Sequence, residues 1–280
     1  MRRALVLALV AFFPHHAGAD DRVVIGADGK PVQLTTTFGG KAGAKVSVAG
    51  GKPTSIFSGS AVGTIVAGHD KVVVALATEG REPFRVVLVG SDKKPTAIAR
   101  PNNRKDLPFA VAGTVTPTGF AIFFQEVQTD DPSAAHTYLV ELDADGAPNG
   151  PAKEVPVPWS LAAAAYNGKG YHLALIYPGD NGGMRLSMVS LSEGGQPQQH
   201  PDWASPAGFI TDVHLLAEDD KIRAFYRGGK AGDRMLESDV TQIRSWGTEP
   251  PKAKDHGAIS QRHALAVAAG GKPTKVELRR

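Results

Sequence analysis

The 280-residue sequence predicts an all-β chain folded as a β-propeller, with five blades as the best count and six as the alternative. Each blade would be four antiparallel strands spread over about 50 residues. Three observations carry this. A hairpin signal recurs at GHDKVVVA (Gly68–Ala75), PTGFAIFF (Pro117–Phe124), GKGYHLAL (Gly168–Leu175), EDDKIRAF (Glu218–Phe225) and AGGKPTKV (Ala269–Val276). Its strand-starting residues Lys71, Phe120, Tyr171, Lys221 and Lys272 are separated by steps of 49, 51, 50 and 51 residues. A second hairpin set, at Arg85–Ala99, Thr137–Pro148, Leu186–Pro197 and Arg234–Ile243, keeps the same period, offset by roughly half of it. Helical signals are almost absent, because apolar residues alternate or run in short blocks bounded by Gly, Asp, Lys and Pro.

The chain opens with Arg2-Arg3, an apolar stretch from Ala4 to Phe13 and the small-residue site Ala17-Gly18-Ala19. That order reads as a secretory signal peptide over residues 1–19, cleaved after Ala19, and places the protein in the periplasm or outside the cell. The apolar run is too short to span a bilayer, and no cysteine lies near the cleavage site to carry a lipid, so no membrane anchor is expected.

Two further hairpins follow, at Arg22–Thr36 and Lys45–Phe57. The second is echoed by the C-terminal Ala264–Val276, so closure by a blade drawing strands from both termini is expected. In the middle of the chain, the first hairpin of each pair is the more apolar and is assigned to inner strands A and B. The more strictly alternating second hairpin is assigned to outer strands C and D. Leu161–Ala165 is Ala-rich, but it is short and runs into a Tyr166-Asn167-Gly168 turn, so it reads as a strand. The Pro-rich stretches fall between blades, and residues 20–280 are expected to form a single propeller domain.

Tyr166-Asn167-Gly168-Lys169-Gly170-Tyr171, a following bulky strand, and Leu142-Asp143-Ala144-Asp145-Gly146-Ala147-Pro148 in the neighbouring repeat resemble the uncharacterised exported propeller repeats of GC-rich bacteria. The resemblance covers roughly residues 60–245. It implies propeller architecture and carries no common activity.

Composition narrows the partners. Without Arg2 and Arg3 the chain has 29 basic and 28 acidic residues, scattered singly, which gives no electrostatic case for nucleic acid. There is no cysteine, hence no disulfide and no thiolate metal site. A monomer is expected, with a protein, peptide or glycan as ligand.

Asp-box, WD, Y-W-T-D and quinoprotein blade signatures are missing, as are H-E-x-x-H and G-x-S-x-G. No cofactor is expected. The best calcium-like run, Asp143-x-Asp145-Gly146-x-x-Asn149, lacks the closing Glu and reads first as an Asp-Gly turn.

Topology then points to a face. In a propeller the B–C and D–A connections share one end of the strands, and the A–B and C–D turns share the other. The B–C connections here, Thr78–Pro83, Gln125–His136, Tyr177–Arg185 and Tyr226–Asp233, are longer and more varied than the Gly/Asp/Lys turns. Glu79, Arg81, Asp130, Asp131, Asp180 and Arg227 are therefore the candidate ligand-binding residues, with no catalytic residue assigned. An exported, non-enzymatic binding propeller is the first reading. A polysaccharide-active hydrolase or lyase with carboxylates at the channel mouth is the alternative.

Overall fold

The structure, a computed structural model, describes residues 19–277 apart from 38–41, 80–82, 92–94, 103–105, 130, 132–133, 158–160, 179–183, 193–196, 200–202, 205–208, 219–220, 230–233, 240–253, 259–262 and 268–272. Beyond residue 198, side chains are described at Val213, His214, Leu215, Ala217, Ile222 and Ala224. The predicted leader lies outside the described residues up to Gly18; Ala19 opens the first strand.

Five sheets of four or five strands follow the chain in order among the described residues. The first sheet is β1 (Ala19–Ile25), β2 (Pro31–Thr37), β3 (Gly43–Val48) and β4 (Thr54–Ser58). The second is β5 (Ala61–Gly68), β6 (Lys71–Thr78), β7 (Phe84–Leu88) and β8 (Thr96–Ile98). The third is β9 (Asp106–Thr116), β10 (Gly119–Gln128), β11 (Ala135–Asp143) and β12 (Lys153–Val155). The fourth is β13 (Leu161–Tyr166), β14 (Gly170–Pro178) and β15 (Met184–Ser192), with β16 (Gln198–Gln199) and β17 (Trp203–Ala204) both pairing β15. The fifth is β18 (Phe209–Glu218), β19 (Lys221–Gly229), β20 (Arg234–Asp239) and β21 (Lys254–Ala258). A sixth sheet holds, among the described residues, β22 (His263–Val267) and β23 (Pro273–Glu277).

All pairings are antiparallel between consecutive strands, apart from the split fourth strand of the fourth sheet. This is the β-propeller that the period predicted, with five full blades and a two-stranded sixth sheet. The first strands form a chain of neighbours: β1 against β5, β5 against β9, β9 against β13 and β13 against β18. β22 packs against β1, so the two ends of the described chain meet. They do not share a sheet, however. The N-terminal hairpins complete a blade of their own, because Leu34 and Val46 pair across β2 and β3.

The second strands of the second, third and fourth sheets are buried on both faces, and their alternate side chains belong to different interfaces. On β10, Phe120, Ile122 and Phe124 face the second sheet and pack with Val73, Ala75, Phe84 and Tyr138. Ala121 and Phe123 face the fourth sheet and pack with Tyr171, Leu173 and Leu175. Phe84 stacks on Phe124 with centroids 4.3 Å apart. Third strands are more buried than strict alternation predicted (β15 is buried at six of nine positions), because each lies between two neighbouring blades.

The Gly-aromatic pairs of the repeat have a steric origin. A Cβ on Gly119, at φ 155°, would lie 2.1 Å from the Leu142 carbonyl oxygen, and one on Gly170 would lie 2.5 Å from that of Leu191. At these points the second strand leaves its turn against the backbone of the third, and a side chain does not fit.

Candidate functional site

The strands reach further toward the long-loop face than the sequence suggested. β10 runs to Gln128 and pairs with β11 through Val127 and Ala135, so Gln125, Glu126 and His136 are ladder residues rather than loop residues. Likewise Arg185 sits in β15 and Arg227 in β19. Polar residues at a strand end look like a loop in the sequence, but here the backbone ladder continues beneath them.

Of the predicted ligand-binding residues, Glu79 is exposed one position past β6, and Asp131 is exposed between β10 and β11. Arg227 pairs in register with Thr211 and Met235. These three sit on the second, third and fifth sheets, at the strand ends where B–C connections emerge. Arg81, Asp130 and Asp180 lie outside the described residues.

Behind this face is a pair of contacts that residue-type searching missed. The β9–β10 register shifts between Gln125 and Glu126, where Phe109 is the extra residue of a bulge on β9, and the ordinary alternation of β10 sends the two consecutive side chains into different blade interfaces. Gln125 is fully buried; its amide donates to Thr137 Oγ1 (2.9 Å), and its carbonyl accepts from the Leu161 backbone N–H (2.9 Å). It thereby holds the start of the fourth blade, and Thr137 Oγ1 donates to the Val157 carbonyl in the same connection (3.4 Å).

Glu126, also fully buried, turns the other way. Its Oε1 lies 3.2 Å from Arg100 Nη2, on the connection between the second and third blades. Neither Glu126 carboxylate oxygen has a hydrogen-bond partner among the described residues, nor does Asp106 Oδ2 at the start of β9. Burial pushes the Glu126 carboxyl up to about 7; the Arg100 charge opposes this and the Asp106 charge adds to it. Nearby, Asn102 donates to Tyr138 Oη (3.0 Å). His136, opposite Glu126 in register, is held by Glu154 (2.6 Å) and Gln128 (2.8 Å). The sequence signal was a Gln-Glu pair closing an otherwise apolar strand.

A cavity of about 590 Å³ follows the first strands of the first five blades. Each of these strands is the end strand of its sheet, so its unpaired backbone edge faces the axis. Small residues form part of its walls: Ala67 and Gly68, Ala112 and Gly113, and Ala162 to Ala165. A Cβ on Gly113 would meet Val66 Cγ2 at 2.5 Å, which shows how closely β5 and β9 approach.

The calcium-like run is an Asx turn. Asp143 Oδ1 accepts from the backbone N–H of Asp145 (3.0 Å) and of Ala147 (2.8 Å), and Gly146 takes φ 76°. Among the described residues no group of three or more His, Asp or Glu is placed to hold a metal.

No protein-family model and no curated protein sequence matches the chain. Solved structures do. The Aleuria aurantia lectin, described as a six-bladed β-propeller with a novel fucose recognition mode, superposes with a TM-score of 0.54 at 9% identity, over 92% of this chain and 87% of that one. A point mutant of the same lectin in complex with Fucα1-6GlcNAc gives 0.54 at 11% identity with the same coverage. A subtype N10 neuraminidase-like protein of a little yellow-shouldered bat strain gives 0.53 at 7% identity, over 91% and 89%. At these identities the likeness is one of fold.

Proposed function

We propose that the protein is an exported, non-enzymatic binding propeller whose long-loop face docks a glycan. The observation that carries this is the pair Gln125 and Glu126. Two adjacent side chains at the end of β10 brace the blade connections on either side, so the loops of that face stand on a fixed base. Binding loops on a rigid scaffold lose little entropy when they engage a ligand. The near-neutral charge suits an uncharged ligand better than nucleic acid, and fucose recognition is described for the propeller of the Aleuria lectin.

The test has two parts. The N-terminus of the exported protein should be Asp20 by mass spectrometry. On an immobilised glycan panel, alanine at Glu79, Asp131 and Arg227 together should weaken retention at least tenfold. Retention of the triple variant at the wild-type level sinks the placement; capture of peptides instead of glycans changes the ligand class.

One observation favours the second reading, a hydrolase or lyase. Glu126, held near neutrality beside Asp106, has the acidity of a general acid. Its complete burial behind Arg100 argues against contact with a polymer, and an unchanged rate of bond cleavage in Glu126→Gln would dispose of that role.

A further inference from the structure

Near the short-turn ends each blade interface has an equivalent layer, occupied by the second residue of the second strand, which is aliphatic in the first-to-second interface (Val72) and aromatic in the next two. In the second-to-third interface this layer is filled by Phe120, 1% exposed, against Val73. In the third-to-fourth interface it is filled by Tyr171, which meets Phe123 edge-on at 5.4 Å and donates its hydroxyl hydrogen to Glu141 Oε1 at 3.2 Å. In the fourth-to-fifth interface the matching residue, first on its strand to face the preceding blade, is Ile222. The residue there is aliphatic, and a cleft of about 320 Å³ opens in this layer.

The cross-strand pair facing the cleft departs from the repeat. Its counterparts are Val73 with Leu88 in the second blade and Ala121 with Glu141 in the third. In the fourth blade it is His172 with Ser190, whose Nδ1 and Oγ share a hydrogen bond of 3.0 Å. Met188 and Ile222 give the cleft an apolar wall, and Lys169 and Gln198 stand at its exposed rim.

We infer that this cleft is a binding site for a single pyranose ring. A ring-shaped ligand fills the space that Phe120 and Tyr171 fill in the preceding interfaces. The C–H face of a sugar suits Met188 and Ile222, and its hydroxyl edge suits His172, Ser190, Lys169 and Gln198. Among the described residues the lining holds no carboxylate, so hexoses and hexuronates are both admitted, and Lys169 favours the latter. The inference stands on the cleft and on the His172–Ser190 pair that faces it, not on the long-loop reading.

The experiment is saturation-transfer NMR on the whole exported chain. The probes are methyl glycosides of glucose, galactose and fucose, and methyl glucuronide. At least one should give a signal, stronger for glucuronide if Lys169 takes part. Ile222→Tyr, which fills the cleft with a ring, should abolish it with an unchanged circular dichroism spectrum. His172→Ala should weaken it at least tenfold, which keeps the test valid if Ile222→Tyr misfolds. The triple alanine variant of Glu79, Asp131 and Arg227 should leave it intact. Absence of binding by every probe overturns the inference, as does binding that survives His172→Ala. Loss only in the long-loop variant overturns the cleft and leaves the long-loop face standing.

Discussion

Replacing Glu126 by Gln tests the brace directly, because Gln keeps the size of the carboxyl and mimics its protonated form. The Glu126 carboxyl is raised from 4.5 to about 7, chiefly by burial. The folded protein therefore holds a proton that the unfolded chain releases above about pH 4.5. The stability this contributes is fully present below the unfolded value and is lost as pH rises through about 7. A shift of about 2.5 units corresponds to a ceiling of about 3 kcal/mol, at ~1.4 kcal/mol per unit. The realised figure should be about 1–3 kcal/mol, because the Arg100 guanidinium loses the Glu126 charge in the variant. Urea unfolding at about pH 5 and about pH 8 measures this. The wild type should lose that much more stability than Glu126→Gln between the two conditions, with the variant the more stable at the alkaline end. Parallel stability curves for the two proteins would refute both the burial argument and the acidity derived from it.

Two other substitutions probe the scaffold. Gly119→Ala places a methyl group 2.1 Å from the Leu142 carbonyl oxygen, on a backbone at φ 155°, and should cost more than about 3 kcal/mol in denaturant unfolding. Gln125→Leu leaves the buried Leu161 N–H without its acceptor; it should cost about 1–3 kcal/mol and speed hydrogen exchange at that amide.

The hairpins were legible because two independent local signals agree at each of them: alternation along the strand and Gly, Asp or Lys chemistry at the turn. That agreement placed β5–β6, β9–β10, β13–β14 and β18–β19 correctly. It also separated Leu161–Tyr166 from a helix, since the five-residue apolar run ends in an Asn-Gly turn. The strand ends were less legible. Beyond Phe124 the residues Gln125, Glu126 and Gln128 are polar, and pattern reading assigns them to a loop; the backbone ladder that carries them to Val127 depends on partners in β9 and β11, far along the chain. The expectation of one blade shared by both termini failed for the same reason, although β22 does pack against β1. The echo between Lys45–Phe57 and Ala264–Val276 is a likeness of turn chemistry, whereas sheet membership is decided by which edges meet.

Both candidate sites illustrate why the rest was hidden. Glu126 and His172 lie on second strands, near opposite ends, facing opposite neighbours. Taken singly, each is one polar residue in a buried strand, which most often means a satisfied core group. What distinguishes them is the layer they occupy. A propeller repeats its interfaces, so every layer has counterparts whose side chains state what packing alone requires there. At the His172 layer the counterpart pairs are Val73 with Leu88 and Ala121 with Glu141, whereas His172 pairs with Ser190 beside an open cleft. At the Glu126 layer the counterparts are the hydroxyl residues Thr78 on β6 and Tyr177 on β14, and here a carboxyl sits with Arg100 against it. Departures of this kind reduce packing where they occur, so they persist most readily where the lost contact is replaced by another: the charge of Arg100 in one case, a bound ring in the other.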